Sequence, residues 1–556
     1  MVAGKAPRPV AADDDQEVPV GRAGVRIVAA TGAVLLASGV GGSGSAQGAG
    51  PVDLLIRGGQ VYTGDLSAPS VADVGVKGDR IVFVGDAGKA GVTAAKTIEA
   101  KGRMVAPGFI DAHTHATGEL ASQDPKARLL LRQLTQGVTT SVIGVDGAGD
   151  PEIADYMAKA NAAGVGNNFA AYVGFGAIRE RVLQNDARAP TPAELEVMKG
   201  LAKKGMCEGA LGLSSGLFYP PQSFAKTEEV IAVAKEAGSR GGLYDTHQRD
   251  EGTTSIGVAA STEEQIRIGR ESGATLHLGH FKVSSGAKPD GQSMAALIKV
   301  VEAARAAGQK VTSDQYPWSA SNTGLSALAI ARWAQDGGRA AMLKRFDDPS
   351  DLAKIKAQAL VFYKERGGAQ NVLINGSASQ PELVGKRISE IAEAWGVDEA
   401  EATIRILRKG SASVATFAIT EPDIRLLMKQ PWNMFSTDGS PSGHPRGHAS
   451  YPRLYTKYVV EEKVITPVEF VHKSTGLVAD TLGIEGRGYL KPGYFADIVV
   501  IDLANYQPKA DYVRPTLLST GVEVAVVNGK VELEGGVPSG ILAGRGLPRK
   551  TPAGCP

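Results

Sequence analysis

Between Met104 and Ser436 the chain alternates short apolar runs with amphipathic helical stretches, and that alternation limits the fold more than any other feature. The runs are Met104–Ile110, Thr140–Ile143, Ala170–Val173, Gly209–Ser214, Gly242–Thr246, Thr275–Gly279, Lys310–Asp314 and Asn433–Ser436. Helical patterns such as Lys126–Gln136, Ala193–Lys203, Glu228–Ala237, Thr262–Glu271 and Ala295–Ala307 lie between them. Several are entered at Ser, Thr or Pro and left at Gly, as caps require. Strands that alternate with helices pair in parallel. Eight such units predict an α/β fold closed into a (β/α)8 TIM barrel, with its chemistry at the C-terminal ends of the strands.

Both flanks have a different texture. Short apolar runs broken by Gly turns recur from Val52 to Ile98, and again in Ala496–Asp502 and Val522–Lys530. Such spacing predicts antiparallel strands, and two terminal sets predict one small β domain built from both ends. The expected divisions are a β part at 51–105, the barrel at 106–483 and a second β part at 484–550. The stretch at about 326–410 is too long for one loop and carries its own helix patterns, Gly385–Trp395 and Glu399–Lys409. It reads as an insertion after the seventh strand. Residues 1–50 read as a signal peptide and linker: Arg22 and Arg26, then the apolar run Ile27–Val40, then small residues around Ser45 and Ala46. That order predicts a periplasmic or secreted protein, with a cytoplasmic location as the alternative. The run is too short for a stable membrane span.

With strands placed, the polar residues at their C-terminal ends form a set. His113 and His115, two apart on a strand, share a face and can hold one ion between them. Asp146 follows the second run, His247 ends the fifth, His280 the sixth and Asp438 the eighth, so four of the eight histidines converge on one rim. By strand parity His280 shares a face with Leu276 and Leu278, which turns His277 toward the helical layer; His277 and His472 are read as structural. Imidazoles and carboxylates suit Zn²⁺ or a similar divalent ion, and six ligands are enough for two. Asp438 beside a metal-activated water could take its proton and return it to a leaving group. Composition narrows the rest. With 60 basic and 59 acidic residues there is no electrostatic footprint for nucleic acid, and a polar small molecule is the natural ligand. The only cysteines, Cys207 and Cys555, supply neither a disulfide framework nor a thiolate metal site.

These residues resemble the amidohydrolase superfamily, in particular its D-aminoacylase (N-acyl-D-amino-acid deacylase) family. The resemblance runs from Val52 to Arg549 through Pro107–His115, Gln136–Thr140, Gly209–Pro221, His280-Phe281-Lys282, Asp314–Trp318, Thr437-Asp438-Gly439, His444-Pro445-Arg446 and Lys491–Asp497. It implies a distorted (β/α)8 TIM barrel with a composite β-sandwich formed from both termini, one tightly held zinc on His247 and His280, a second, weaker metal position on His113, His115 and Asp438, and Asp438 as the catalytic acid/base. Tyr219, Lys282, Tyr316 and Arg446 would bind the substrate carboxylate. The implied reaction is metal-dependent hydrolysis of a linear amide, most simply the deacylation of N-acyl-D-amino acids. A dipeptidase or cyclic-amide hydrolase on the same scaffold is the enzymatic alternative, and an inactive binding relative the alternative of another class. Three departures from the family pattern stand out. Gly144-Val145-Asp146-Gly147 carries a carboxylate where many members have Cys, Gly174-Phe175-Gly176 replaces Gly-His-Gly, and Leu213-Ser214 lacks the modified lysine of hydantoinases and dihydroorotases.

Overall fold

The computed structural model describes residues 50–284, 291–441 and 443–555. The expected signal peptide therefore lies outside the described residues, apart from Gly50.

Seven of the eight parallel barrel strands occur where apolar runs predict them, whereas the first run, Met104–Ile110, divides at Gly108 into Met104–Pro107 of the terminal sheet and the short barrel strand Phe109–Asp111. The first three are Phe109–Asp111, Val138–Ile143 and Asn168–Ala171, in that order across one sheet. The third continues as Val173–Gly174, which begins a second sheet with Gly212–Gly216, Leu243–His247, Thr275–Leu278, Val311–Gln315 and Asn433–Phe435. A parallel bridge between Thr114 and Gly439 joins the first strand to the eighth and closes the ring. Helices cover the outside. Pro192–Cys207 starts from a capping box of Thr191 and Glu194, and Met294–Ala306 from the Ser293 cap. One expected helix is absent: Lys126–Gln136 is two single turns, Pro125–Arg128 and Leu131–Leu134, parted at Leu130, whose φ is 55°. There the Arg128 guanidinium takes the carbonyls of Ser122, Gln123, Ala163 and Gly164, holding the first turn to a neighbouring loop.

Strands from both ends of the described residues meet in one nine-stranded sheet, the β-sandwich part of the fold. Met104–Pro107 is its seam, between Val52–Val61 and Ile498–Ile501. Period-two alternation gives this seam two faces: Val105, Ile498 and Val500 enter the sandwich core, while Met104, Ala106, Val499 and Ile501 pack against the barrel's Phe109 and Phe470. The expected antiparallel pattern is only partly met, because Val52–Val61 pairs in parallel with Ala94–Glu99 and with Met104–Val105. The connections Ala87–Ala90 and Gly102-Arg103 bring those strands back in the same direction.

After the seventh barrel strand, Ser321–Gly324, Val372–Gly376 and Ser413–Thr416 form a separate antiparallel sheet. Its own apolar core includes Phe346, Ile355, Ile374 and Ile404. At the opposite end of the barrel the C-terminal tail crosses the strand starts. Leu547 N donates to Phe169 O and Arg549 N to Gly209 O. There Cys555 forms a disulfide with Cys207, 348 residues away, with Cα atoms 5.4 Å apart. This corrects the reading that the two cysteines supply no disulfide: their distance in sequence says nothing about a tail that returns beneath the helix Pro192–Cys207. Among the described residues no helix is long and apolar enough to cross a membrane.

Candidate metal centre

The centre is assembled where the first and eighth strands meet. His115 N donates to Gly439 O and Asp438 N to His113 O, at 3.0 and 2.9 Å. Beneath them Asp111 accepts from Thr437 N and Oγ1, at 2.9 and 2.6 Å, so a buried carboxylate fixes the two strand ends against each other. Three site residues leave their strands in left-handed backbone, Asp146 at φ 56°, His280 at 37° and Asp438 at 47°. Non-glycine residues adopt that region sparingly, and its cost of about 1–3 kcal/mol is met where surrounding structure dictates a side-chain direction. Around Asp146 the surrounding structure is explicit. Ser214 Oγ donates to Gly144 O, Gly147 N donates to Ser214 Oγ at 3.1 Å, and Gln222 Nε2 donates to Asp146 O at 2.9 Å.

All six metal-ligand candidates come together. His113 Nε2 and His280 Nε2 each lie 3.3 Å from Asp146 Oδ1, and His115 Nε2 lies 3.1 Å from Asp438 Oδ1. His247 Nδ1 is 2.9 Å from His280 Nε2. Three sets have ligand atoms mutually within 4.8 Å: His113, His115 and Asp146; His113, His280 and Asp438; Asp146, His247 and His280. The donor chemistry fits a divalent ion. Both ring nitrogens of His113, Asp146 Oδ1 and His247 Nε2 are buried without a hydrogen-bond partner. Leaving such atoms unpaired is costly, whereas imidazole and carboxylate donors satisfy zinc or a similar metal.

The field at the site also favours a cation. Burial alone would raise Asp438 and Asp146. The Arg446 guanidinium and His280 hold Asp438 well below the usual carboxylate range, and His113 and His280 do the same for Asp146. Burial and Lys282 oppose a charge on His280, yet Asp438 and Asp146 outweigh them and push it up to about 10. For His247 burial prevails and holds it down at about 3.

His277 corrects the parity argument. The strand stops at Leu278, and the turn through Gly279 to His280 breaks the alternation, so His280 does not share the face of Leu276 and Leu278. Those leucines pack in the helical layer. His277 instead points into the barrel, its Nε2 2.9 Å from Asp314 Oδ2 and its Nδ1 2.9 Å from Thr312 Oγ1. It remains structural, as does His472, whose Nδ1 bonds Gly64 O at 3.0 Å.

Above the ligands opens a cavity of about 590 Å³ lined by His115, Asp146, His247, His280 and Asp438 and walled by Tyr219, Lys282 and Arg446. Arg446 Nη1 lies 2.6 Å from Asp438 Oδ2, and its Nε is buried without a partner. Tyr219 packs against His247 with ring centroids 4.7 Å apart and planes tilted by 60°. Tyr316 does not reach this wall. It is buried behind it, with Arg446 and Lys282 4.9 and 5.6 Å from its ring centre and its hydroxyl unpaired. Several wall residues escaped the sequence reading, among them Gln222, Glu251 and Arg366. Glu251 lies four residues past His247, a spacing that could have drawn attention to it, whereas Arg366 ends a helix of the insertion, where an arginine is ordinary.

Comparison with known proteins agrees with this architecture. The model of the amidohydrolase family matches residues 96–532. The D-aminoacylase of Alcaligenes xylosoxydans xylosoxydans is 32% identical over 525 residues, covering 90% of this chain and 98% of that protein. A solved D-aminoacylase with a binuclear metal centre, in which one metal activates and a second attenuates, superposes with a TM-score of 0.76 at 30% identity, covering 90% of this chain and 100% of the other. The N-acyl-D-glutamate deacylase of Bordetella bronchiseptica, solved with zinc and a phosphonate that mimics the tetrahedral intermediate, gives the same TM-score at 28% identity, with the same coverage. The chain belongs to the amidohydrolase family, in its D-aminoacylase (N-acyl-D-amino-acid deacylase) branch.

Proposed function

We propose that this protein hydrolyses the amide bond of N-acyl-D-amino acids, with Asp438 as general acid/base. The carrying observation is the convergence of six ligand-type side chains, several with unpaired buried donor atoms, on a cavity that also presents Lys282 and Arg446. Asp146, His247 and His280 would hold the tighter ion, and His113, His115 and Asp438 a weaker second one. A bound divalent ion, zinc by analogy with the deacylase complex, supplies Lewis acidity to the scissile carbonyl and lowers the pKa of water.

The chain's own groups carry the protons. Asp438, kept ionised by Arg446, accepts the proton of the attacking water and delivers it to the departing amine. Lys282, Arg446 and Tyr219 orient the substrate carboxylate, since guanidinium and ammonium groups pair with it and a phenol adds a directional donor. Tyr316 supports both cations through its ring face. Export to an oxidising compartment is part of this reading, supported by the Cys207–Cys555 disulfide, because such bonds persist outside the cytosol.

Asp438→Asn tests the assignment. Turnover of N-acetyl-D-leucine should fall below detection while the tightly held equivalent of metal, read by elemental analysis, stays in place; full activity in the variant removes Asp438 from the chemistry. The same assay with N-acetyl-L-leucine, a dipeptide and a hydantoin separates the deacylase from its scaffold rivals.

A further inference from the structure

Glu251 lies on the cavity wall between the metal ligands and Lys282, and one of its oxygens faces three groups. Oε1 is 2.6 Å from Lys282 Nζ, 3.3 Å from His280 Nδ1 and 3.6 Å from His247 Nε2. The two histidines turn opposite nitrogens toward the metal position: His280 presents Nε2 to Asp146, and His247 presents Nδ1 to His280 and Asp146. When those atoms are ligands, the remaining nitrogens, His280 Nδ1 and His247 Nε2, must carry hydrogens. Both of those nitrogens look onto Glu251 Oε1; His247 Nε2 has no hydrogen-bond partner of its own, and the nearer neighbour of His280 Nδ1, Lys282 Nζ at 2.9 Å, is an ammonium that cannot accept from a ring N–H, which leaves Oε1 as its acceptor.

The backbone that carries this carboxylate is tied down on both sides. Ser284 N donates to Glu251 O at 2.7 Å. The adjacent Asp250 accepts from Gly252 N and Gly257 N, at 2.9 and 3.0 Å, and so ties the loop around it. Arg249 clasps Ser223 O and Ala225 O on the preceding side. The Glu251 side chain is 12% exposed, so it is no solvated rim charge.

We propose that Glu251 is a positioning residue that couples the two functions of the site: through one oxygen it sets the orientation of His247 and His280 and anchors Lys282 for the substrate carboxylate. The proposal rests on the deacylase reading for its substrate arm and on geometry alone for its metal arm. Carboxylates behind ligand histidines typically govern metal affinity by about 10–100-fold. Here the same group also fixes the ammonium that meets the substrate.

The test uses the full chain stripped of metal and reconstituted with Co²⁺. Its Co²⁺ dissociation constant is measured by chelator competition, its ligand-field spectrum is recorded, and KM and kcat for N-acetyl-D-leucine are determined. Glu251→Gln should raise the dissociation constant about tenfold or more, shift the visible band and raise KM more than it lowers kcat. Glu251→Asp, which keeps the charge but withdraws it by one methylene, should give intermediate values and serves alone if the glutamine variant does not fold. A dissociation constant within twofold of wild type with an unshifted band overturns the metal arm, and an unchanged KM overturns the coupling. The metal measurements need no turnover, so a wild-type protein inactive on the substrate would refute the deacylase reading without touching them.

Discussion

The two histidine pairs of the centre are held in different ways. His247 and His280 are both deeply buried, and both outer nitrogens face the single oxygen of Glu251. His113 and His115 share a strand end but not an environment. His113 is fully buried with Nδ1 3.9 Å from Asp314 Oδ2, whereas the His115 side chain is 35% exposed and contacts only Asp438 and Asp146 at ion-pair distance. Asp146 stands in a triad with each pair. A ring held before the ion arrives loses less freedom when it binds. The pair that looks least like a motif in sequence is therefore the better prepared one.

The sharpest way to break that comparison is to remove one ligand from each side. His280→Ala should lose the tighter ion and lower kcat/KM by at least about a hundredfold to a thousandfold, the several kcal/mol that Lewis-acid stabilisation supplies. Elemental analysis and steady-state assays read both effects. His115→Ala should keep the tighter equivalent and change kcat/KM by less than about tenfold, near the 1.4 kcal/mol that separates large from small effects on this scale. Should it empty the site as completely as His280→Ala, the two sides are equivalent and the ranking fails. The smallest effect on the metal centre is expected from Cys555→Ser. Removing the disulfide destabilises the fold by about 2 kcal/mol, visible as a lower Tm. Metal content should not move, because the disulfide lies at the strand starts and the ligands at the strand ends. A change in metal stoichiometry would mean that the tail reaches the site after all.

Much of this molecule is legible residue by residue. The eight barrel strands follow from apolar runs of strand length, and the helix starts at Thr191 and Ser293 from caps whose side chains bond the first turn. Parity was legible only while a strand lasted. At His280 the left-handed turn reversed it, and His277 went into the barrel instead of the helical layer. The break at Leu130 was hidden because the groups that hold it, the carbonyls of Ala163 and Gly164, belong to another part of the chain. Glu251, Gln222 and Arg366 were missed because acid, amide and arginine at such positions are common on any surface, and only convergence on one cavity distinguishes them.

By itself the sequence determined the alternation of strands and helices, the two terminal strand sets that share a sheet, and the ligand-type residues at strand ends. Those are local properties, set by periodicity, capping and side-chain chemistry. The tertiary structure alone decided that His247 and His280 face each other across Asp146, that Arg446 meets Asp438, that Glu251 joins the metal ligands to Lys282, and that Cys207 meets Cys555. Each of these depends on where separate strands, loops and the tail end in space. Barrel closure sets those positions, and no spacing along the chain records them.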